Sequence, residues 1–119
     1  MERDFIKLNL GPTLEKAGLK DKVKIMIHDD QRSDLVNWTH TVLSDKEAAK
    51  YVSGIAFHWY QNRFAPVEIL DQVAAAFPDY FILNTEACIE TKNPKKEVLT
   101  LGEWEQGERY AYDIITVSF

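Results

Sequence analysis

The chain carries a single cysteine, no cluster of lysines or arginines, and no long apolar run. One thiol, Cys88, excludes an internal disulfide. Taken alone it points weakly to a reducing compartment, since secreted and lysosomal proteins also carry free thiols. The net charge of −5 and the pI near 5.1 argue against nucleic acid as a partner. The one adjacent basic pair, Lys95-Lys96, lies in a stretch that reads as loop. No apolar stretch approaches the roughly 18 residues of a membrane span. Met1-Glu2-Arg3-Asp4 is charged and leads into no apolar run, so no signal peptide is expected within this stretch. HxH and HExxH spacings, internal repeats and low-complexity segments are also lacking.

What is present is ordinary globular material, 45% apolar and 28% charged, with room for one domain at most. Three segments read as strands: 23–28, 54–60 and 80–85. The last two are apolar nearly throughout, the pattern of strands buried on both faces. Helical patterns cover 4–17, 34–43, 46–52 and 67–77, the last opened by Pro66 and stopped by Pro78. Residues 91–107 read mostly as loop, and 110–119 as a helix. The order α-β-α-β-α-β-α implies an α/β fold of parallel strands joined by right-handed crossovers. Three such strands leave two bare edges, and the chain stops mid-pattern, so it is expected to be part of a longer domain.

The strands close on chemistry-bearing residues. The first ends in His28-Asp29-Asp30, the second in His58-Trp59-Tyr60, the third in Thr85-Glu86. Parallel strands place all these ends on one rim, where ligands bind in both barrels and open α/β sheets. Each acid taken alone could be a solvated turn residue, and His58 alone a hydrogen-bonded core residue. A metal held by His28, Asp29, His58 and Glu86 has suitable donors but no ligand spacing. Cys88 with His58 as base is a second possibility. A sugar site uses more of the residues. Trp59, Tyr60 and Trp104 offer flat faces to a pyranose, imidazoles and carboxylates bind hydroxyls, and a carboxylate can attack an anomeric carbon. Separately, Asn37-Trp38-Thr39 fits the N-glycosylation acceptor pattern.

The stretches LGPTL (10–14), DDQR (29–32), EAAKYVSGIAFHWY (47–60), AP (65–66), FPDYFILNTEAC (77–88), LGEW (101–104) and IIT (114–116) closely resemble the lysosomal acid β-glucosidases, or glucosylceramidases, of glycoside hydrolase family 30. The resemblance runs in register over essentially the whole chain. It implies that residues 1–119 are a fragment of a catalytic (β/α)8 TIM barrel, about strands five to seven with flanking helices. It implies retaining hydrolysis of glucosylceramide to glucose and ceramide, with Glu86 as nucleophile. By the same resemblance His58, Trp59 and Tyr60 lie around the glucose, Tyr60 can hydrogen-bond the nucleophile, and 60–66 is a mobile loop at the pocket mouth. Cys88 resembles a pocket-lining free cysteine. Asp29 is counted with the substrate-binding residues for its place on the rim. No cofactor or metal is implied. The implied setting is the lysosomal lumen at the membrane surface, with a saposin-type activator as a candidate partner.

Two departures accompany the match. The family's acid/base sits in an Asn-Glu-Pro motif, which does not occur here. Asn93-Pro94-Lys95-Lys96 stands where human-like members carry aromatic residues, in a region tied to substrate entry and membrane-proximal contacts. The isolated chain is therefore expected to be inactive. The alternative is a non-catalytic truncated relative that acts as an interaction module through its strand edges.

Overall fold

A computed structural model of the chain describes residues 1–89 and 102–118. A continuous helical stretch opens the chain in three parts: α1 (Glu2–Phe5), a π turn (Ile6–Leu10) and α2 (Gly11–Lys16). Pro12 accounts for the widened middle turn. It has no N–H to give to the Leu8 carbonyl, and its ring crowds that carbonyl. Gly18 ends the stretch at φ 68°. The Leu19 N–H then reaches the Leu14 carbonyl (2.9 Å) and the Gly18 N–H the Glu15 carbonyl (3.0 Å), a complete Schellman motif.

The remaining elements are β1 (Ile25–Gln31), α3 (Leu35–Leu43), α4 (Lys46–Ala49), β2 (Val52–His58), α5 (Glu68–Ala76), β3 (Phe81–Glu86) and α6 (Trp104–Ser118). The strands form one parallel sheet in the order β1-β2-β3. The expected α/β alternation is therefore present, with shifted ends. β1 reaches Gln31, not His28, because a bulge lets the polar tail keep pairing with β2. α4 stops at Ala49, short of the expected residue 52, because Val52 is already paired with Ile25. α6 begins at Trp104, inside the expected loop. The Trp104 indole gives its N–H to Glu108 one turn on (2.7 Å), and Glu105 suits the positive helix start. Residues 90–101, with Asn93-Pro94-Lys95-Lys96, lie outside the described residues.

The core lies between the sheet and its helices. Ile27, Leu35, Val42, Ile55, Phe57 and Val73 are almost wholly buried there. On the opposite face the register places Met26 beside Gly54 and Phe81, and His28 beside Ala56 and Leu83. That face is open: Met26, Phe81 and Leu83 are 38%, 38% and 47% exposed. β2 is buried on both faces as expected, but β3 is not. It is an edge strand, and two of its apolar residues point to the uncovered side. The radius of gyration, 17.0 Å, exceeds the about 13.5 Å of a closed domain of this length. The chain is thus an open wedge of sheet with one finished side.

Gly11 shows how tightly that side is finished. A Cβ there would lie 2.2 Å from the Tyr51 ring. The ring is buried, and its hydroxyl is tied to Glu15 (2.9 Å). Alanine improves helix propensity by about 1 kcal/mol, yet overpacking costs about 1–3 kcal/mol. Gly11→Ala should therefore lower stability in urea unfolding. A gain in stability would show that Tyr51 does not press on the helix as described.

Candidate active site

The parallel register sets Gln31, His58 and Glu86 side by side at the strand ends. The Trp59 N–H extends the ladder to the Glu86 carbonyl (3.2 Å), so the backbone of Glu86 is held from β2. Asp29 arrives by another device. His28 pairs with Ala56 and Asp30 with Phe57, which leaves Asp29 as the extra residue of a bulge. His28 and Asp29 both take positive φ (78° and 52°), a region that Asp and His tolerate better than most residues. The bulge turns Asp29 toward its neighbours across the rim.

Those neighbours are specific. One oxygen of Asp29 accepts from the Thr85 hydroxyl (2.6 Å) and from His58 Nε2 (3.2 Å). His58 Nδ1 lies 3.6 Å from Glu86 Oε2. The imidazole is thus held between two carboxylates, and it is 13% exposed where they are 66% and 57%. With Nε2–H given to Asp29, Nδ1 meets Glu86 as a lone pair on the neutral ring and as an N–H on the protonated ring. Only the protonated ring attracts both acids. The Thr85 hydroxyl, and after it His58, hold the Asp29 carboxyl below the usual carboxylate range against some opposing burial.

Tyr60 and Cys88 form the next layer. The Tyr60 hydroxyl is 3.0 Å from Cys88 Sγ. The Cys88 hydrogen bond, burial and the nearby Glu86 push the phenol well above the ordinary tyrosine range, so the Tyr60 hydroxyl keeps its proton. Cys88 lies beyond the end of β3, and its thiol meets Tyr60, whereas both nitrogens of His58 face carboxylates. Trp59 is buried. Its indole N–H donates to the Cys88 carbonyl (3.0 Å), and its ring stacks on Tyr110 (4.9 Å, 12°). It therefore shapes the wall and has one face already occupied. Trp104 stands on the first turn of α6, 78% exposed. His28 Nε2 is engaged with the Gln31 carbonyl (2.9 Å). Among the described residues no three His, Cys, Asp or Glu side chains cluster so as to hold a metal ion. Asn37 is exposed on α3, with its sequon partner Thr39 buried.

Several contributors were not singled out by residue type. Thr85 is one. Arg32 is another: 4% exposed, it gives Nε and Nη2 to the Ala65 carbonyl (3.0 and 2.6 Å) and holds the loop after Tyr60. A third is Asp113 on α6, which accepts from Asn62 of that loop and Asn84 of β3. A legible signal existed for it. Tyr110, Asp113, Ile114 and Val117 share one helical stripe, and Asp113 is its one acid. Arg32, Asn62 and Asp113 border a cleft of about 760 Å³ that also takes in Trp59, Tyr60 and Cys88.

Thr85→Val removes the largest influence on Asp29, so its titration midpoint should rise, measurable by NMR of the carboxyl carbon. The sign for stability follows. A depressed carboxyl stabilises the fold above its unfolded pKa of about 3.9, and that contribution fades as pH falls through the folded pKa. The variant should therefore lose acid resistance relative to the parent. An unmoved midpoint would dissociate Thr85 from Asp29.

Comparison with known proteins places this geometry. Residues 1–118 match the Glycosyl hydrolase family 30 TIM-barrel domain. The chain is 46% identical to "Putative glucosylceramidase 4" of Caenorhabditis elegans over 118 residues, covering 97% of this chain and 22% of that protein. It is 44% identical to the lysosomal acid glucosylceramidase of Mus musculus over 116 residues, again 97% and 22%. Among solved structures, SrfJ from Salmonella typhimurium superposes with a TM-score of 0.79 at 26% identity, over 97% of this chain and 24% of SrfJ. An endo-beta1,6-glucanase superposes at 0.66 and 31% identity, over 81% and 21%. The chain thus spans about a fifth of the length of these relatives. The open sheet face is the one that a closed barrel turns inward. With its match over residues 1–118, the chain belongs to the glycosyl hydrolase family 30 TIM-barrel domains.

Proposed function

We propose that the protein carrying this chain is a retaining β-glucosidase that hydrolyses glucosylceramide to glucose and ceramide, with Glu86 as its nucleophile. The observation that carries the reading is the position of Glu86. It ends β3 on the shared rim, its backbone held by Trp59 and its carboxylate facing His58. The choice of lipid-linked glucose rests on the glucosylceramidases at 44–46% identity. The reading also places the protein in the lysosomal lumen at the membrane surface, with a saposin-type activator as partner and no cofactor.

In this mechanism Glu86 attacks the anomeric carbon as the ceramide oxygen leaves, forming a glucosyl-enzyme. Water then releases glucose. A second carboxyl group protonates the leaving oxygen and activates the water, at roughly 5–5.5 Å from the nucleophile in retaining enzymes. Asp29 is poorly suited to that task, because Thr85 and His58 favour its ionised form. It acts instead with His58 to hold the local charge and orient the imidazole beside Glu86. The acid/base is a carboxyl group supplied by another part of the barrel. Tyr60, kept protonated by its surroundings, donates toward the nucleophile side of the site.

An activated fluorinated glucoside tests the assignment. The fluorine slows both steps while the good leaving group lets the first proceed, so the covalent intermediate accumulates. Protein expressed from its complete coding sequence should carry one glucosyl adduct on Glu86 by peptide mass spectrometry. Glu86→Gln should abolish the label and lower kcat by more than about 10³-fold. An adduct on another residue would remove Glu86 from this role. The 119-residue polypeptide by itself should show no turnover, since loss of the general acid alone costs about 10²–10⁴-fold. Full-length protein that binds a partner yet neither labels nor turns over glucosides would favour the interaction-module alternative.

A further inference from the structure

Asp113 reaches two elements at once. One carboxylate oxygen accepts from the Asn62 amide (2.5 Å), the other from the Asn84 amide (3.1 Å). Asn62 lies two residues after Tyr60, and Asn84 two residues before Glu86. The loop is held from its other side as well. Arg32, just past the end of β1, bonds the carbonyls of Ala65 and, at 3.5 Å, Asn62. One turn before Asp113, Tyr110 stacks on Trp59 and its hydroxyl accepts the Ile89 N–H (3.2 Å). Helix α6 is therefore fastened to both flanks of the rim.

We infer that Asp113 is a positioning residue, which through Asn62 and Asn84 sets the loop bearing Tyr60 against the strand bearing Glu86. The inference rests on the proposed role of Glu86. Three features support it. Both Asp113 contacts come from amides that meet a carboxylate, an acceptor-only group when ionised. Burial pushes the Asp113 carboxyl upward, with Arg32 and the two amides opposing, so this is a half-buried acid retained at a cost. Finally, among the described residues Arg32 Nη1, Asn62 Oδ1 and Asn84 Oδ1 are buried without a hydrogen-bond partner. Unpaired buried atoms of this kind subtract from the stability that the network contributes. What this one does provide is a fixed relation between two segments that carry reacting groups.

The experiment uses protein from the complete coding sequence, the activated fluorinated glucoside, and the variants Asp113→Ala, Asn62→Ala and their double. Each single variant should slow labelling of Glu86 at saturating probe by about tenfold, the scale of a small misplacement of reacting groups. Probe affinity should stay within about twofold, since the sugar contacts are untouched. The double variant should be no slower than Asp113→Ala, because both changes break one link. Asn62→Ala leaves the Asp113–Asn84 bond in place and carries the test if Asp113→Ala does not fold. Singles that label at the parent rate, or a double whose loss is the product of the two, overturn the inference while Glu86 keeps its role. Parent protein labelled elsewhere than Glu86 overturns the nucleophile assignment and this inference with it.

Discussion

Parallel pairing through β2 is the constraint on which the rest of the molecule depends. In a parallel sheet all C-terminal ends emerge on one side, and the pairing of Gln31 with His58 and of His58 with Glu86 makes those ends level. Each strand then needs only its last residues to be polar. A one-residue slip of β3 would turn Glu86 to the other face and send Phe81 into the helices. The core guards against that slip, because Ile55, Phe57 and Ile82 must all meet the helical layer. The same burial that stabilises the wedge thus sets the register of the site. Of the three register shifts in the sheet, the bulge at Asp29 is the one between His28 and Asp30. It adds a carboxylate that regular pairing would have aimed elsewhere.

Charge on the rim is arranged so that neighbouring groups hold different protonation states. Thr85 and His58 keep Asp29 an anion, while Cys88, burial and Glu86 keep Tyr60 a neutral phenol. Environments that push titratable groups apart mark acid–base sites. The ion pairs themselves add little stability, since the carboxylates are more than half exposed and solvent screens them. Their value is geometric. An imidazole with a carboxylate at each nitrogen has a fixed orientation. That arrangement also argues against a Cys88–His58 pair, because both ring nitrogens face carboxylates while the thiol meets Tyr60.

Much of this was legible from residue pattern. Alternating strand and helix signals gave the parallel sheet, and strand-end acids and imidazoles gave the rim. Asp29, His58 and Glu86 do meet, and Tyr60 and Cys88 do adjoin them. What escaped the pattern depends on long-range geometry. The apolar run of β3 reads as doubly buried, but burial on the second side requires material that this wedge does not bring. Trp59 reads as a sugar platform, whereas Tyr110, 51 positions later, occupies one face of its ring. Arg32 belongs to a residue type that is mostly exposed. It is instead buried among backbone carbonyls, a choice that no local spacing encodes.

The wedge shows two kinds of order that reach the site separately. The helix-facing side is packed by residues within the chain, and it fixes the backbone under Asp29, His58 and Glu86. The opposite side, with Met26, Phe81 and Leu83 uncovered, has its strand spacing but not its filling. Gly54 belongs to this second side. A Cβ there would meet the Phe81 ring at 2.3 Å, so the glycine makes room for Phe81 over β2. In a closed barrel such inward residues pack in layers beneath the catalytic rim. Register and rim chemistry are therefore properties of this segment, whereas the floor beneath them belongs to the closed barrel. That division explains how so short a stretch can gather the polar ends of its strands on one rim while the sheet face below them stays open.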